Sequence, residues 1–329
     1  MKFSGSKFFC RALRRGTAAF RLRRHDTAKI PASGPLVFAV VRNESLRLPR
    51  FLQHYRRLGA SGFVVVENNS TDGTQELLRG QSDVVLYRTR ASFVRKEAWL
   101  DLLLRRHGTG RWCVVADADE LLDFPGRPEI GLPGLASYLD AGRWNTLHAM
   151  LLDLYPAGPV GSVAYRPGED YFDHDWYFDP PASMRRTPRA FWKGSGLDYR
   201  FEGGVRERVF GVSNCCSKFP FFKFGRGMYL HDGQHYLEGA HVSPVRGVLY
   251  HFKYLQDFVP HACEEVQRGQ HWKGAAEYRR YAEKARASGG EVALKDASSV
   301  RFAGGEQMLL EGVTVCPPDL RLFVDSRRT

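Results

Sequence analysis

The sequence predicts an α/β protein in which helices flank a mainly parallel central sheet. Across residues 36–120, four apolar segments with strand character alternate with segments whose apolar residues recur every three or four positions. Strands that alternate with helices are joined by right-handed crossovers and build a mainly parallel sheet. Polar clusters follow three of these strands. Because ligands bind beyond the carboxyl ends of the strands in such sheets, we expect a ligand site at that edge.

The predicted elements follow in order from the first apolar run. Residues 36–41 are uniformly apolar and form the first strand, and a helix with apolar residues three and four positions apart follows over 46–58. Asp72-Gly73 turns the chain before a short helix. The other predicted strands are 63–66, 84–87, 111–120 and 146–155, and the other predicted helices are 93–106 and 257–287.

Two aspartates stand one residue apart at the end of the apolar segment 111–120. In an extended chain, side chains two positions apart point to the same side, so Asp117 and Asp119 are expected to present both carboxylates to one point. Carboxylate oxygens suit a hard divalent cation such as Mg²⁺ or Mn²⁺, which keeps positions open for water and phosphates. The alternative is a solvated acidic turn after a buried strand.

Three short motifs occur in order between residues 40 and 119. They are Val40-Val-Arg-Asn-Glu44, Val64-Val-Val-Glu-Asn-Asn-Ser-Thr-Asp-Gly-Thr74 and Asp117-Ala-Asp119. In this order they resemble the first strand and nucleotide-binding turn, the second strand with its polar loop, and the metal motif of glycosyltransferase family 2. The resemblance implies the GT-A fold, a nucleoside-diphosphate sugar as donor, and a cation on Asp119. Glu67-Asn68 stands where the family usually has Asp-Asp, which leaves the donor nucleotide open.

The resemblance and the positions of lysine and arginine residues give a set of candidates for binding the nucleotide-sugar donor. Arg95 and Lys96 precede the metal motif, while Arg206 and Arg208 alternate along residues 205–209. The arginine fork matches diphosphate geometry, although structural ion pairs are the alternative for these four side chains. The full set is Arg42, Asn43, Glu44, Glu67, Asn68, Asp72, Arg95, Lys96, Asp117, Arg206 and Arg208.

The second half of the chain resembles the same superfamily more loosely. The motifs are Gly203-Gly-Val-Arg-Glu-Arg-Val-Phe-Gly211, Lys218-Phe-Pro220 and Leu249-Tyr-His-Phe-Lys253. In many enzymes with the GT-A fold, a histidine near the end of the domain binds the metal, which implies that role for His251 beside Asp117 and Asp119. A hydrogen-bonded core histidine is the alternative.

A catalytic base follows from the stereochemistry that the resemblance implies. Family 2 enzymes invert the anomeric carbon, so a carboxylate must take the proton of the acceptor hydroxyl. Asp153 is the first candidate because a predicted apolar strand holds it, although a buried structural role is the alternative. Asp170 is the second candidate because it lies in the aromatic-rich loop 158–189, which could bind a sugar. The expected acceptor is a glycan or a lipid-linked compound.

Charge and composition add expectations about partners and location. The net charge is +12, and residues 1–30 hold nine Lys or Arg against the single acid Asp26. This basic segment, which also contains phenylalanines, is either a contact with an anionic membrane or a disordered solvated extension. No nucleic-acid module appears. The sequence has no long apolar run, no secretory signal and no zinc-type cysteine spacing, so we expect a cytoplasmic protein that is either free or peripheral at the inner face of the membrane.

These observations predict three regions and one main function. Residues 1–30 form a basic extension, 31–287 a GT-A-like domain, and 288–329 a loosely structured tail. Within the domain, 35–125 is the nucleotide and metal half and 126–287 the acceptor half. The expected function is metal-dependent glycosyl transfer, as in cell-surface polysaccharide biosynthesis. A nucleotidyltransferase on a related fold and a non-catalytic sugar-binding protein are the alternatives, and no Gly-rich basic phosphate loop follows the first strand to favour the former.

Overall fold

The computed structural model describes residues 21–26, 28–127, 129–188, 197–231 and 233–328. Within these residues the protein is a mixed α/β structure with a central sheet of nine strands flanked by helices. Six of the nine strands run in one direction, so the sheet is mostly parallel. The predicted fold class is therefore confirmed at this level.

The described residues form strands in one large and three small sheets. The central sheet contains β1 (Arg23–Arg24), β2 (Leu36–Val41), β3 (Gly62–Glu67), β4 (Val84–Arg88), β5 (Trp112–Val115), β6 (Glu120–Asp123), β7 (Thr146–Asp153), β11 (Ser217–Lys223) and β14 (Val242–His251). The small sheets contain β8 (Tyr177–Phe178), β9 (Arg185–Pro188), β10 (Tyr199–Glu202), β12 (Tyr229–His231), β13 (Tyr236–Glu238) and β15 (Val300–Arg301).

Helices connect and cover these strands. In chain order they are α1 (Leu48–Arg57), α2 (Thr74–Arg79), α3 (Lys96–Leu103), α4 (Gly131–Ala141), α5 (Val205–Phe210), α6 (Phe258–Arg268), α7 (Trp272–Ala287), α8 (Gly305–Leu310) and α9 (Pro318–Asp325). We call α6 and α7 together the α6–α7 hairpin.

The strand order across the central sheet is β1-β4-β3-β2-β5-β11-β7-β14-β6. Strands β4, β3, β2 and β5 form an uninterrupted parallel run. Strand β11 is antiparallel to both of its neighbours, and β7 pairs in parallel with β14. Strand β6 is antiparallel to β14 at the far edge. The chain therefore reverses between β5 and β6, and Asp117-Ala-Asp119 lies in that reversal.

Strands β2 and β3 are apolar along almost their whole length because both faces of the sheet are covered. Every residue of these two strands is buried. On one face, α1 packs Leu48, Phe51 and Tyr55 against the sheet, and on the other face α3 packs Trp99 and Leu103. Parallel strands with two buried faces read as continuous apolar runs, which is why the sequence identified them.

The structure changes the bounds of three predicted elements. The strand expected over 111–120 ends at Val115. The helix expected over 93–106 begins as a 3₁₀ turn at Phe93–Arg95 and continues as α3. The helix expected over 257–287 is the α6–α7 hairpin, because Gly269 takes a left-handed φ of 58° and ends α6.

The prediction of a loosely structured tail over 288–329 is wrong. Helix α8 buries Met308, and α9 buries Leu320 and Val324. Leu320 and Val324 join the core beneath α1, while β15 pairs with β8. Short helices with few apolar positions give a weak sequence pattern, and their stability comes from the surfaces on which they pack.

The basic N-terminal region lies only partly within the described residues. Strand β1 pairs antiparallel with β4 at one edge of the central sheet. The expectation for residues 1–20, including contact with a membrane, lies outside the described residues. In the part of the chain that the structure describes, no helix combines the length and apolar character needed to cross a bilayer.

Candidate functional site

A cleft of about 990 Å³ opens at the carboxyl ends of the central strands, the edge expected from the sequence. Residues 117–120, at the connection from β5 to β6, line it together with His251 at the end of β14. The α6–α7 hairpin supplies many of the remaining lining residues. Lys218 of β11 and Arg206 of α5 also line the cleft. Side chains from both halves of the chain therefore share one cavity.

Asp119 and His251 meet in this cleft although 132 positions separate them. The imidazole Nε2 lies 2.9 Å from Oδ2 of Asp119. Burial alone would lower the pKa of His251, but the carboxylates of Asp119 and Asp153 outweigh burial and raise that pKa to about 9. Although burial opposes ionisation of Asp119, His251 holds the pKa of Asp119 well below its ordinary value. The two side chains therefore form a buried ion pair at neutral pH.

Strand register explains why ligand-type side chains gather around His251. It lies opposite Asp153 in the parallel β7–β14 pair and opposite Glu120 in the antiparallel β6–β14 pair. Residues that face each other on neighbouring strands project to the same side of the sheet. One side-chain ligand atom from each of Asp119, Glu120 and His251 lies within 4.8 Å of the others. Two carboxylates and an imidazole form a donor set that Mn²⁺ or Mg²⁺ accepts.

Asp153 is engaged on both of its oxygens. Its Oδ1 is 2.5 Å from Nδ1 of His251, and its Oδ2 accepts a hydrogen bond from Nε of Arg206 at 2.8 Å. Burial disfavours the charged carboxylate, but Arg206 and His251 outweigh burial and hold the pKa of Asp153 far below its ordinary value. A carboxylate on Nδ1 fixes the imidazole orientation and turns Nε2 outward. These contacts suit orientation of His251 better than removal of a substrate proton.

Asp117 faces two lysines rather than the group around Asp119. Its Oδ1 binds the ammonium group of Lys96, and its Oδ2 lies 3.7 Å from Nζ of Lys218. Burial opposes ionisation, but the two lysines lower the pKa of Asp117 to about 2. The chain turns at residues 117–119 instead of continuing β5, so the same-side argument for an extended chain does not apply. The group of potential metal ligands among the described residues does not include Asp117.

The polar loop after β2 contributes Arg42 and Glu44 to the cleft. Burial raises the pKa of Glu44 to about 8 against the opposing effect of Arg47, and Asp119 adds to the rise. Arg42 donates to Oε1 of Glu264 in the α6–α7 hairpin at 3.2 Å. A carboxyl group that titrates near neutral pH in a cleft is typical of functional sites.

Other donor-binding candidates serve the local structure. Glu67 forms an ion pair with Arg88 at 2.9 Å, and the Asn68 side-chain amide donates to two backbone carbonyls at 2.9 and 3.1 Å. Asp72 accepts a hydrogen bond from the backbone N–H of Thr74 at 3.0 Å, where α2 begins. The candidates outside the lining of the described cleft are Asn43, Glu67, Asn68, Asp72, Arg95 and Arg208.

Arg206 and Arg208 have different surroundings because residues 205–209 lie in α5 and not in a strand. Residues two apart on a helix do not share a face. Arg206 lines the cleft, whereas Arg208 binds Asp179 at 2.8 Å. The second base candidate, Asp170, also has both oxygens engaged, each accepting from Arg50 at 2.7 Å, and it is not part of the described cleft lining.

The sequence reasoning missed eleven charged residues of the cleft lining, and four of them bear directly on the site. They are Glu120, Lys218, Lys253 and Glu277. Glu120 directly follows the aspartate motif and Lys218 lies in a motif used for the family resemblance, so a signal existed for both. Lys253 follows His251 by two residues. Glu277 lies within the predicted helix 257–287, and its Oε1 lies 3.4 Å from Arg206.

No protein-family model matches this chain, and no curated protein matches it. What the site can do therefore follows from its geometry. It combines a possible metal-ligand group with lysine and arginine side chains that can bind phosphates. A volume of about 990 Å³ is at the upper end of the range for small-molecule and cofactor sites. The cleft can therefore accept a ligand of nucleotide-sugar size together with a cation.

Proposed function

We propose that the protein is a divalent-metal-dependent glycosyltransferase with the GT-A fold of family 2. In this proposal it moves a sugar from a nucleoside-diphosphate sugar to a hydroxyl group of a glycan or lipid-linked acceptor, with inversion. The observation that carries the proposal is the convergence of Asp119, Glu120 and His251 in a large cleft at the carboxyl edge of a mostly parallel sheet. The parallel run β4-β3-β2-β5, with its polar loops, also supports it.

The residues present fit a hard divalent cation. Asp119 and Glu120 supply carboxylate oxygens and His251 supplies an imidazole nitrogen, while the rest of the cleft leaves room for substrate oxygens. Mn²⁺ or Mg²⁺ bound there would neutralise charge that develops on the leaving diphosphate. Asp153 orients His251 through Nδ1, and its own position is fixed by Arg206. We therefore assign Asp153 a positioning role rather than the role of base.

The cationic side chains of the cleft bind and orient the donor in this proposal. Lys96 and Arg206 come from the two halves of the chain and both line the cavity. Fixed positive groups near a leaving diphosphate stabilise the transition state more than the ground state, because charge on the diphosphate grows as the anomeric bond breaks. Arg42 belongs to the polar loop after β2 and reaches Glu264 of the α6–α7 hairpin, where it can contact a nucleotide.

A thermal-shift experiment tests the proposal. With Mn²⁺ present, we expect one nucleoside-diphosphate sugar from a panel to raise the melting temperature, and that compound to release nucleoside diphosphate during turnover. Asp119→Asn should abolish both effects while the protein remains folded. The matched control is Asp140→Asn, since Asp140 is exposed and pairs with Lys223. A preference for nucleoside triphosphates would indicate a nucleotidyltransferase. Stabilisation by free sugars alone would indicate a sugar-binding protein.

A further inference from the structure

Lys218 is a buried cation in the wall of the cleft. Only about 4% of its side chain is exposed, and it lies near the start of β11. Because β11 runs antiparallel to β5 and β7, its first residues lie at the carboxyl edge of those strands. Among the described residues its ammonium group has one hydrogen-bond acceptor, Glu120. An ammonium group has three N–H donors, so Lys218 retains capacity for further acceptors.

Lys96 brings a second ammonium group to the same place. It is the first residue of α3, lines the cleft, and binds Asp117 as its one hydrogen-bond acceptor in the described part of the chain. Asp117 thus lies between two lysines, with Oδ1 on Lys96 and Oδ2 3.7 Å from Nζ of Lys218. The two cations come from opposite halves of the chain, and a single carboxylate holds them beside each other.

A purely structural role does not explain this arrangement well. Two buried or half-buried lysines cost desolvation free energy, and replacing a buried ion pair by apolar residues is often neutral or stabilising. The lining of the cleft has nine Lys or Arg and eight Asp or Glu, and because the raised pKa of Glu44 keeps most of that carboxyl group neutral, the lining carries an excess of positive charge at pH 7. A divalent cation would add to this excess of positive charge, which an anionic ligand can neutralise. The N–H groups of Lys96 and Lys218 that have no acceptor among the described residues can donate hydrogen bonds to such a ligand.

We propose that Lys96 and Lys218 form a diphosphate subsite beside the group Asp119, Glu120 and His251, with Asp117 as the residue that positions both ammonium groups. This inference rests on the proposed function, because the diphosphate is that of the nucleotide donor. Lys96 and Lys218 donate to its non-bridging oxygens, and Asp117 holds the two ammonium groups beside each other.

The subsite can be tested by calorimetric titration of the whole protein with inorganic pyrophosphate in the presence of Mg²⁺. Lys218→Met and Lys96→Met should each weaken pyrophosphate binding about 10- to 100-fold, the usual effect of losing a hydrogen bond to a charged group. Neither variant should change the affinity for Mg²⁺ alone by more than about twofold. The matched control is Lys223→Met, on the same strand, whose ammonium group is exposed and pairs with Asp140 at 2.9 Å.

Two results of this titration would overturn the diphosphate subsite. Equal pyrophosphate affinity in the two cleft variants and in Lys223→Met would overturn the subsite. A parallel loss of Mg²⁺ affinity in Lys218→Met would also overturn it, since Lys218 would then act through Glu120. If Lys218→Met fails to fold, Lys96→Met gives the same decision, because Lys96 lies at a helix start and is less buried.

The source of the diphosphate needs a separate competition. At least one of UDP, GDP, ADP and dTDP should displace pyrophosphate at a lower concentration than farnesyl diphosphate does, because the nucleoside adds contacts to those of the shared diphosphate. Displacement by farnesyl diphosphate at an equal or lower concentration would overturn the assignment to a nucleotide donor. A different result would refute the proposed function. Tight pyrophosphate binding without turnover of any nucleotide sugar would refute glycosyl transfer but would not contradict the diphosphate subsite.

Discussion

Metal binding should require His251 to lose a proton. Its pKa is raised to about 9 in the folded protein, so the imidazole is protonated at pH 7. A histidine that binds a metal must be neutral. Uptake of Mn²⁺ at pH 7 should therefore release about one proton, and removing that proton should cost about 3 kcal/mol, since pH 7 lies roughly two pH units below the pKa. Apparent affinity should rise about tenfold per pH unit from 7 towards 9.

Calorimetry in two buffers with different ionisation enthalpies counts the released protons. Wild-type protein should release about one proton at pH 7 and markedly fewer above pH 9. His251→Gln should bind Mn²⁺ weakly and without this pH dependence, whereas His241→Gln, which changes an exposed histidine, should behave like wild type. Wild-type binding without proton release, or the same release in His251→Gln, would refute the assignment of His251 as a ligand.

The same pKa shift determines how pH affects stability in the presence of a chelator. A group whose pKa is raised on folding contributes stability that is fully present below its unfolded value, about 6.5 for histidine. That stability is lost as pH rises through about 9. The unfolding free energy lost between these two pH values corresponds to about 3 kcal/mol at most. Urea unfolding at pH 6 and pH 9.5 measures it, and His251→Gln should show a smaller change between the two pH values.

Four further outcomes are expected. Asp153→Asn removes the buried carboxylate that binds both Arg206 and His251, so urea unfolding should show a loss of about 3 kcal/mol in the unfolding free energy. Mn²⁺ titration should show a 10- to 100-fold weaker affinity, in about the range for an outer-shell partner. Asp170→Asn should leave turnover unchanged in a kinetic assay, because Asp170 binds Arg50 outside the described cleft lining. Asn68→Ala should lower the unfolding free energy by about 1–3 kcal/mol without changing the dissociation constant of the donor, because its amide serves two buried carbonyls. Deleting residues 1–20 should leave transfer to a soluble acceptor intact and abolish sedimentation with anionic vesicles; equal sedimentation of both forms would contradict a membrane contact.

The parallel half of the sheet could be predicted from sequence because its signal is local. Strand β2 has the same bounds in the prediction and in the structure. The observed bounds of β3 and β4 differ from their predicted bounds by at most one residue at either end. Both faces of these strands are buried, so their residues form continuous apolar runs. The antiparallel strands were not recognised. Strand β11 contains Lys218 and Pro220, and β6 is only four residues long, so neither gives a clear strand pattern.

Two pairs of candidate residues have different partners in the structure for one physical reason. A common direction was expected for Asp117 and Asp119 from strand geometry, and Arg206 and Arg208 stand at the same spacing of two positions. The first pair lies in a turn and the second in α5, so in each pair the two side chains have different partners. Spacing in the sequence predicts shared direction only where the local backbone is already known.

Strand register decides which side chains reach the site. His251 meets Asp153 and Glu120 because β14 pairs with β7 and β6 in one particular register. A shift of one residue would turn His251 to the opposite face of the sheet and remove it from Asp119. That register depends on which face of β14 is buried against the rest of the protein, and Val248, Leu249 and Tyr250 are all buried. The apolar run around His251 therefore shows that the strand is central, but it does not show which way the histidine points.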